Sequence, residues 1–261
     1  MSERTVLFEK EDNVGLITLN RPAELNALDY PTLCQLGEII AQIGLAYKEI
    51  RSVVIRAAGR AFCAGADLKE RRTLNEQQVR RNVNKIREVF DALARLPQPT
   101  IAAINGYAFG GGFELALACD FRYAWAGATL GLTEVSLGII PGAGGTQRLP
   151  RLIGPALAKE LILTGRRISA TEAQRLGILN GVAETVEQLD ERCRQLCSEL
   201  SNNAPLAVYQ AKDAIDRGLN VDLMSGMEIE AKAYEAIIPT KDRIEALEAF
   251  RAKRKPIFRG E

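Results

Sequence analysis

Short apolar runs alternate with longer amphipathic stretches over the first two-thirds of the chain, and helical periodicity takes over afterwards. Val6–Phe8 and Leu16–Leu19 predict two strands flanking a turn at Asp12-Asn13, and Asn20-Arg21-Pro22 ends the second. Asp29 caps a predicted helix with Pro31 in its first turn, where Leu33, Leu36, Ile40 and Ile43 recur at helical spacing. Val53-Val54-Ile55 is continuously apolar, as in a strand covered on both faces. Gly59–Leu68 reads as a loop by composition. Asn75 and Gln78 predict a capping box ahead of a helix striped by Val79, Val83, Ile86, Phe90 and Leu93, which Pro97 and Pro99 stop. Thr100–Ile104 and Phe121–Trp125 predict buried strands. Between them, Gly110–Cys119 predicts a helix apolar nearly all round, hence central.

Pro155 opens a helix that Gly165 closes. Ser169 and Glu172 predict a second capping box, with Gly177 ending that helix. Beyond about Gly181 the pattern is helical, and Thr240, with Asp242 in the first turn, starts the last helix. Strand and helix alternate first and helices follow, so the pattern predicts an α/β fold in one domain with a C-terminal extension. The chain shows no close internal repeat and no low-complexity segment.

Composition narrows the chemistry. The 261 residues are 47% hydrophobic and 26% charged, as in ordinary soluble proteins. The 34 basic and 33 acidic residues leave a formal charge of +1, so nothing draws the whole chain to nucleic acid or an anionic membrane. The start, MSERTVLFEKED, lacks an apolar signal core, and no run approaches the ~20 apolar residues that span a bilayer. Cys34, Cys63, Cys119, Cys193 and Cys197 are odd in number and show no CxxC spacing, so reduced thiols in a cytoplasmic protein are expected. There is no histidine. That excludes Ser-His-Asp and Cys-His hydrolases and the common zinc sites, and leaves acid–base work to carboxylates, Lys, Tyr or Cys.

The candidate chemistry concentrates in Ile101–Arg148. Glycine-bearing pieces stand at Ala64-Gly65-Ala66-Asp67, Gly110-Gly111-Gly112 and Pro141-Gly142-Ala143-Gly144-Gly145. Glycine lets backbone N–H groups approach a ligand, and a glycine-led helix start offers unpaired donors. Two such donors on one carbonyl oxygen make an oxyanion site. Glycine runs also serve tight turns or close packing, and none of the three fits a Walker loop or a GxGxxG fingerprint. Glu114 falls in the first turn of the apolar helix, where a carboxylate also answers the helix dipole. Glu134 follows Leu132-Thr133, where a surface carboxylate at a strand end is the plain alternative. Buried together, the pair would have raised pKa values and could divide acid and base roles.

The sequence resembles the enoyl-CoA hydratase (crotonase) family. The resemblance lies in LNRPAELNAL at 19–28, FCAGADLKE at 62–70, INGYAFGGGFELALACD at 104–120 and GLTEVSLGIIPGAGGTQRL at 131–149. It is close up to about Gly181 and looser beyond. It implies a ClpP-like spiral of ββα units over residues 1–195 and a helical oligomerisation region over 196–261. It further implies a homo-oligomer, a dimer of trimers. Ala66 and Gly111 would bind the thioester oxygen through their N–H groups, and Glu114 and Glu134 would hold water between them. Ala23, Glu24 and Leu25 match backbone that meets coenzyme A, with Ala64, Ala66, Asp67, Leu68, Lys69 and Gly111 beside the substrate. Coenzyme A enters as part of an acyl-CoA thioester substrate, with no separate cofactor and no metal.

The implied reaction is reversible syn addition of water to a trans-2-enoyl-CoA. Ala23 stands where many hydratases carry Lys, and Leu132-Thr133 where short-chain hydratases often carry Gln-Pro. With FCAGADLKER at 62–71 and GGTQRLPR at 144–151, these features are closer to the methylglutaconyl-CoA hydratase branch. An isomerase, hydrolase or decarboxylase on the same scaffold is the enzymatic alternative. An RNA-binding protein is the remote one, raised by basic clusters at 69–72, Arg80-Arg81 and 251–255, but no RNA-binding aromatic motif accompanies them. The tail KRKPIF at 253–258 is, by sequence, a basic helix end.

Overall fold

The computed structural model describes residues 4–261; the first three residues of the charged N-terminal stretch lie outside them. Two sheets form the frame. The first has six strands in the order β1 (Val6–Glu11), β2 (Val14–Leu19), β3 (Ser52–Ala57), β5 (Thr100–Ile104), β7 (Phe121–Trp125) and β10 (Gly181–Ala183). β1 and β2 pair antiparallel around the turn at Asp12, whose φ is 51°; the other neighbours are parallel. The second sheet orders four short strands, β4 (Ala61–Cys63), β6 (Tyr107–Phe109), β8 (Thr129–Gly131) and β9 (Ile168–Ser169).

The continuous apolar runs have a two-sided explanation. Ile17, Ile55 and Ala102 face one core with Phe62, Phe90 and Phe113. Their neighbours Leu16, Val54 and Ile101 face the opposite core with Leu189, Cys193 and Cys197 of α8 (Val186–Ser201). Successive strand side chains point to opposite faces, so both faces being covered erases the polar alternation. Gly59–Leu68 is not all loop. β4 runs inside it with Ala61, Phe62 and Cys63 fully buried. Three residues are too few to show a period, which is why composition read the stretch as loop.

The chain repeats one unit as it winds: a strand in the first sheet, a strand in the second, then a helix. β3, β4, the short α2 (Leu68–Arg71) and α3 (Glu76–Ala94) make one turn. β5, β6 and α4 (Gly111–Ala118) make the next, and β7, β8 and α5 (Gly145–Ile153) a third. This is the expected spiral of ββα units. α1 (Tyr30–Leu45) starts with Asp29 accepting from Thr32 N–H, and Asn75 and Gln78 close a full capping box on α3. Every residue of α4 is buried, as its all-round apolar sequence requires.

After α6 (Pro155–Thr164), the predicted box at α7 (Ala170–Arg175) forms only in half. Ser169 accepts from Glu172 N–H, but the Glu172 carboxylate goes to Arg166 at 2.9 Å. A charged guanidinium outcompetes a neutral N–H for that oxygen.

α9 (Pro205–Gly218), α10 (Leu223–Ile237) and α11 (Lys241–Ala252) complete the chain. The expected boundary at 195/196 falls inside α8, which belongs with the first sheet's core. α9 is tied to that core by Lys212 Nζ on Asp120 Oδ2 at 2.7 Å and by Tyr209 Oη donating to Tyr47 O and Ile50 O. α10 and α11 leave Leu223, Met224, Tyr234, Leu247 and Phe250 exposed. The basic tail is not free: Arg254 pairs with Glu245, Arg51 donates to Phe258 O, and buried Asp242 accepts from Arg259 and Gly260 N–H. Among the described residues no helix is long and apolar enough to cross a membrane.

Candidate active site

The spiral places the first turn of α4 between two loops from distant parts of the chain. β4 leads into Ala64–Asp67, and Asp67 caps α2 by accepting from Lys69 and Glu70 N–H. Arg21 holds that loop from outside, donating to Asp67 Oδ2 at 3.0 Å and to Ala27 O. Leu28 pins its backbone on both sides of Ala66: Leu28 N–H donates to Gly65 O, and Asp67 N–H donates to Leu28 O. Among the described residues the N–H groups of Ala66 and Gly111 find no acceptor. They are neighbours, since a Cβ placed on Gly111 would lie 3.7 Å from Ala66 N. Two unpaired donors at a helix start carry the positive end of its dipole.

The two carboxylates come from separate elements and line one cleft of about 2390 Å³. That volume exceeds a usual small-ligand site because the cleft runs on into the groove between α9 and the core. Glu114, in the first turn of α4, is 3% exposed. Its Oε1 accepts two hydrogen bonds, from Ala143 N–H and Gly145 N–H, both at 2.8 Å. The glycine-rich stretch at 141–145 therefore holds a carboxylate, through N–H groups the sequence suggested for a ligand. Burial raises the Glu114 pKa, opposed by those two bonds and by the charges of Arg148 and Arg87.

Glu134 opens a 3-10 turn, Glu134–Leu137, and is 8% exposed rather than a surface residue. Neither of its buried oxygens has a hydrogen-bond partner among the described residues. Burial, then the charge of Glu114, pushes its pKa up to about 7, opposed by its own backbone N–H, which is near but outside hydrogen-bond geometry, and then by Arg71. Gly110 makes this possible. Its φ is 51°, and a Cβ there would sit 3.3 Å from Glu134 Oε1. One carboxylate is thus gripped by N–H donors while the other is unpartnered and titrates near neutrality, the asymmetry that separates acid from base roles.

Apolar side chains complete the wall. Val79 and Val83, predicted as core stripe, instead line the cleft with Leu74, Leu137 and Ile140, while Ile86 reaches the Gly111 backbone. Ala64, Ala66, Asp67, Leu68 and Gly111 also line it. Ala23, Glu24, Leu25 and Lys69 do not; the first three lie in or beside the 3-10 turn Pro22–Glu24, joined to the site where Ala64 N–H donates to Leu25 O. Cys63, Cys119 and Cys193 are buried thiols pushed up to about 12, which keeps them protonated. No group of three or more His, Cys, Asp or Glu side chains among the described residues could hold a metal ion.

Sequence reading missed the residues that hold the site. Arg21 lay in the quoted Asn-Arg-Pro segment and Arg148 in the quoted Gly-Gly-Thr-Gln-Arg segment, but neither had an assigned role. The available signal was a charged residue one helical turn beyond a glycine run, and the i, i+4 pair Arg87 and Asp91 on one face of α3.

The Enoyl-CoA hydratase/isomerase family model matches residues 9–261. The chain belongs to the enoyl-CoA hydratase/isomerase family. YngF of Bacillus subtilis (strain 168) is 51% identical, with 100% of each chain covered. Human mitochondrial methylglutaconyl-CoA hydratase is 45% identical, covering 99% of this chain and 78% of that protein. A crystal structure of enoyl-CoA hydratase from Bacillus anthracis superposes with a TM-score of 0.96 at 50% identity, covering 98% of this chain and 100% of the other. The spiral is accordingly the crotonase fold, and the chain is an enzyme of the hydratase/isomerase family, for which an acyl-CoA thioester is a fitting substrate.

Proposed function

We propose that the protein is an enoyl-CoA hydratase, adding water reversibly to a trans-2-enoyl-CoA to give a 3-hydroxyacyl-CoA. The observation that carries this reading is the pair of unequal carboxylates in one cleft: Glu114 held by two N–H donors, Glu134 buried with neither oxygen bonded among the described residues. The thioester oxygen takes the N–H groups of Ala66 and Gly111. Electron withdrawal leaves carbon 3 open to attack. Glu114 Oε2, the oxygen the 143–145 turn leaves unbonded, accepts a proton from water as its oxygen bonds to carbon 3. Glu134, protonated near neutrality, gives its proton to carbon 2. The enolate between these events carries the most charge on the thioester oxygen, so the two amides favour it over the substrate. Remote contacts to coenzyme A would hold the reacting carbons in register.

Crotonyl-CoA supplies the test. A hydratase removes the absorbance of the conjugated thioester, whereas an isomerase creates it from a 3-enoyl-CoA. Gain with the 3-enoyl substrate and no loss with crotonyl-CoA would replace this reading with the isomerase one.

A specific observation favours a second reading, methylglutaconyl-CoA hydratase, in which the acyl group ends in a carboxylate. Arg71, half-buried on the cleft wall, makes no side-chain hydrogen bond or ion pair among the described residues, while its charge is felt at Glu134. Three other cleft arginines are committed, Arg87 to Gly142 O, Arg148 to Asp91 and Arg122 to carbonyls, while Arg95, also on the lining, is exposed and like Arg71 makes no side-chain bond among the described residues. The exposed apolar faces of α10 and α11 support assembly into a homo-oligomer, the dimer of trimers expected from the family resemblance.

A further inference from the structure

The turn that grips Glu114 is itself gripped. Gly142, Gly144 and Gly145 give it little stiffness of its own. Its carbonyls face two arginines. Arg148 Nη1 donates to Ala143 O at 2.8 Å, and Arg87 donates to Gly142 O through Nε and Nη2 at 3.2 and 3.1 Å. Arg148 Nη2 in turn meets Asp91 Oδ1 at 2.7 Å. Both backbone groups of Ala143 are therefore held, its N–H on Glu114 and its carbonyl on Arg148. Gly144, at φ 104°, makes room: a Cβ there would collide with the Arg148 guanidinium.

We propose that Arg148 is a positioning residue for Glu114, acting through the Ala143 and Gly145 amides, with Asp91 and Arg87 of α3 as its supports. The inference rests on Glu114 serving as the base that takes a proton from water. Both donors fall on Oε1, so the arrangement sets which oxygen is left for water and in what direction it points. A planar fork is needed, because one guanidinium must reach a carbonyl and a carboxylate at once; an ammonium can supply the charge but not both directions. Hydrogen bonds in series polarise one another through a shared peptide group, and the Ala143 N–H shares its peptide with Gly142 O, so the Arg87–Gly142 contact also strengthens the Ala143 bond to Glu114.

The test compares Arg148→Gln and Arg148→Lys with wild type. Arg148→Gln is expected to lower kcat on an enoyl-CoA roughly 10- to 100-fold with KM little changed, as small misplacement of a reacting group does. It should also move the acidic limb of the kcat/KM profile upward in pH. Arg148→Lys should return the limb toward its original position while kcat recovers only in part. Asp91→Asn, at a half-exposed site, is the milder variant should Arg148→Gln not fold; a smaller loss of kcat with the same split is expected. The carboxyl 13C titration of Glu114, assigned by its loss in Glu114→Gln, reads the brace without turnover and should rise in Arg148→Gln. An unmoved Glu114 titration, or parallel loss of kcat and melting temperature with an unchanged pH profile, overturns the proposal. Wild type that hydrates no enoyl-CoA overturns the hydratase reading instead, leaving the titration to judge the brace.

Discussion

The N–H of Gly145 donates to Glu114 Oε1 at 2.8 Å across 31 residues of sequence. Ala143 N–H meets the same oxygen at the same distance. The first turn of one spiral unit is thereby fastened to the start of the next unit's helix. Glu134, on the segment between them, is left with no hydrogen-bond donor among the described residues. Chemical inequality between two identical side chains follows from that one arrangement.

Glu134→Gln should lower kcat for hydration by about 10²–10⁴, the usual weight of a positioned acid or base, while acyl-CoA binding survives. Steady-state rates with crotonyl-CoA, alongside isothermal titration with a saturated acyl-CoA, separate the two effects. With Glu134 near 7 and acting as the acid, wild-type kcat/KM should fall on the alkaline side of about 7, and the variant should lose that limb. The two groups titrate as a pair, so the limbs belong to the pair. Near-normal turnover in the variant would rule out the two-carboxylate scheme.

The same substitution should stabilise the fold at alkaline pH. Glu134 has a folded pKa of about 7 against the ordinary 4.5, so the folded state resists its ionisation. Below the unfolded value the carboxyl is neutral in both states and costs nothing. Between about 4.5 and 7 the unfolded chain ionises while the folded one keeps its proton, so stability falls across that window relative to a neutral side chain and levels off above about 7. Urea unfolding of Glu134→Gln and wild type should nearly agree at pH 4 and differ by about 2 kcal/mol at pH 8.5, allowing for solvent in the cleft. Equal curves at both pH values would contradict the shifted titration.

Gly110→Ala tests the space beside Glu134. The positive φ costs roughly 1–3 kcal/mol for a residue with a Cβ. The added methyl would also press on Oε1 at 3.3 Å. Thermal unfolding should show the stability loss, and kcat should fall more than KM changes. A fully active, fully stable variant would mean that Glu134 is free to move elsewhere.

Asp67→Asn addresses the loop that carries Ala66. Burial would raise the Asp67 pKa, but the Glu70 and Lys69 N–H groups and Arg21 together hold it below the ordinary carboxylate range. Its stabilisation is present above the unfolded pKa and is lost as pH falls through the folded one. The variant should lose about 1 kcal/mol at pH 7 after solvent screening, with the gap closing as acid protonates Asp67 below the ordinary carboxylate range. Chemical unfolding across pH 3–7 would show it; a gap that widens on acidification would reverse the assignment.

Arg71→Leu decides between acyl groups. If an acyl carboxylate meets this guanidinium, kcat/KM for 3-methylglutaconyl-CoA should fall about 10-fold or more, as loss of a charge-assisted bond implies, while crotonyl-CoA turnover changes little. Equal effects on both substrates would remove the second reading.

Much of the architecture was legible because it rests on local pattern. Asp29, Asn75 and Thr240 cap helices as their side chains and spacing require. The all-apolar Gly110–Cys119 segment could only be central, and Val53–Ile55 only a strand covered twice. The second sheet was not legible, since β4, β6, β8 and β9 are two or three residues each and owe their pairing to neighbours distant in sequence. Glu114 and Glu134 stood out as carboxylates beside glycine and apolar residues. Arg148, Asp91, Arg87 and Arg21 did not, because an exposed charge on an amphipathic helix and a brace on a catalytic loop look the same in one dimension.

Sequence alone determined where α1, α3, α4, α6, α7 and α11 start, and that acid–base work falls to carboxylates, Lys, Tyr or Cys in a chain without histidine. Tertiary structure decided which Glu114 oxygen is bonded, that Glu134 has no donor among the described residues, and that the Ala143 and Gly145 amides serve a side chain rather than a ligand. The reason is range. Capping and periodicity act within a few residues, whereas burial, pKa and hydrogen-bond partners depend on groups that meet only after the spiral has closed.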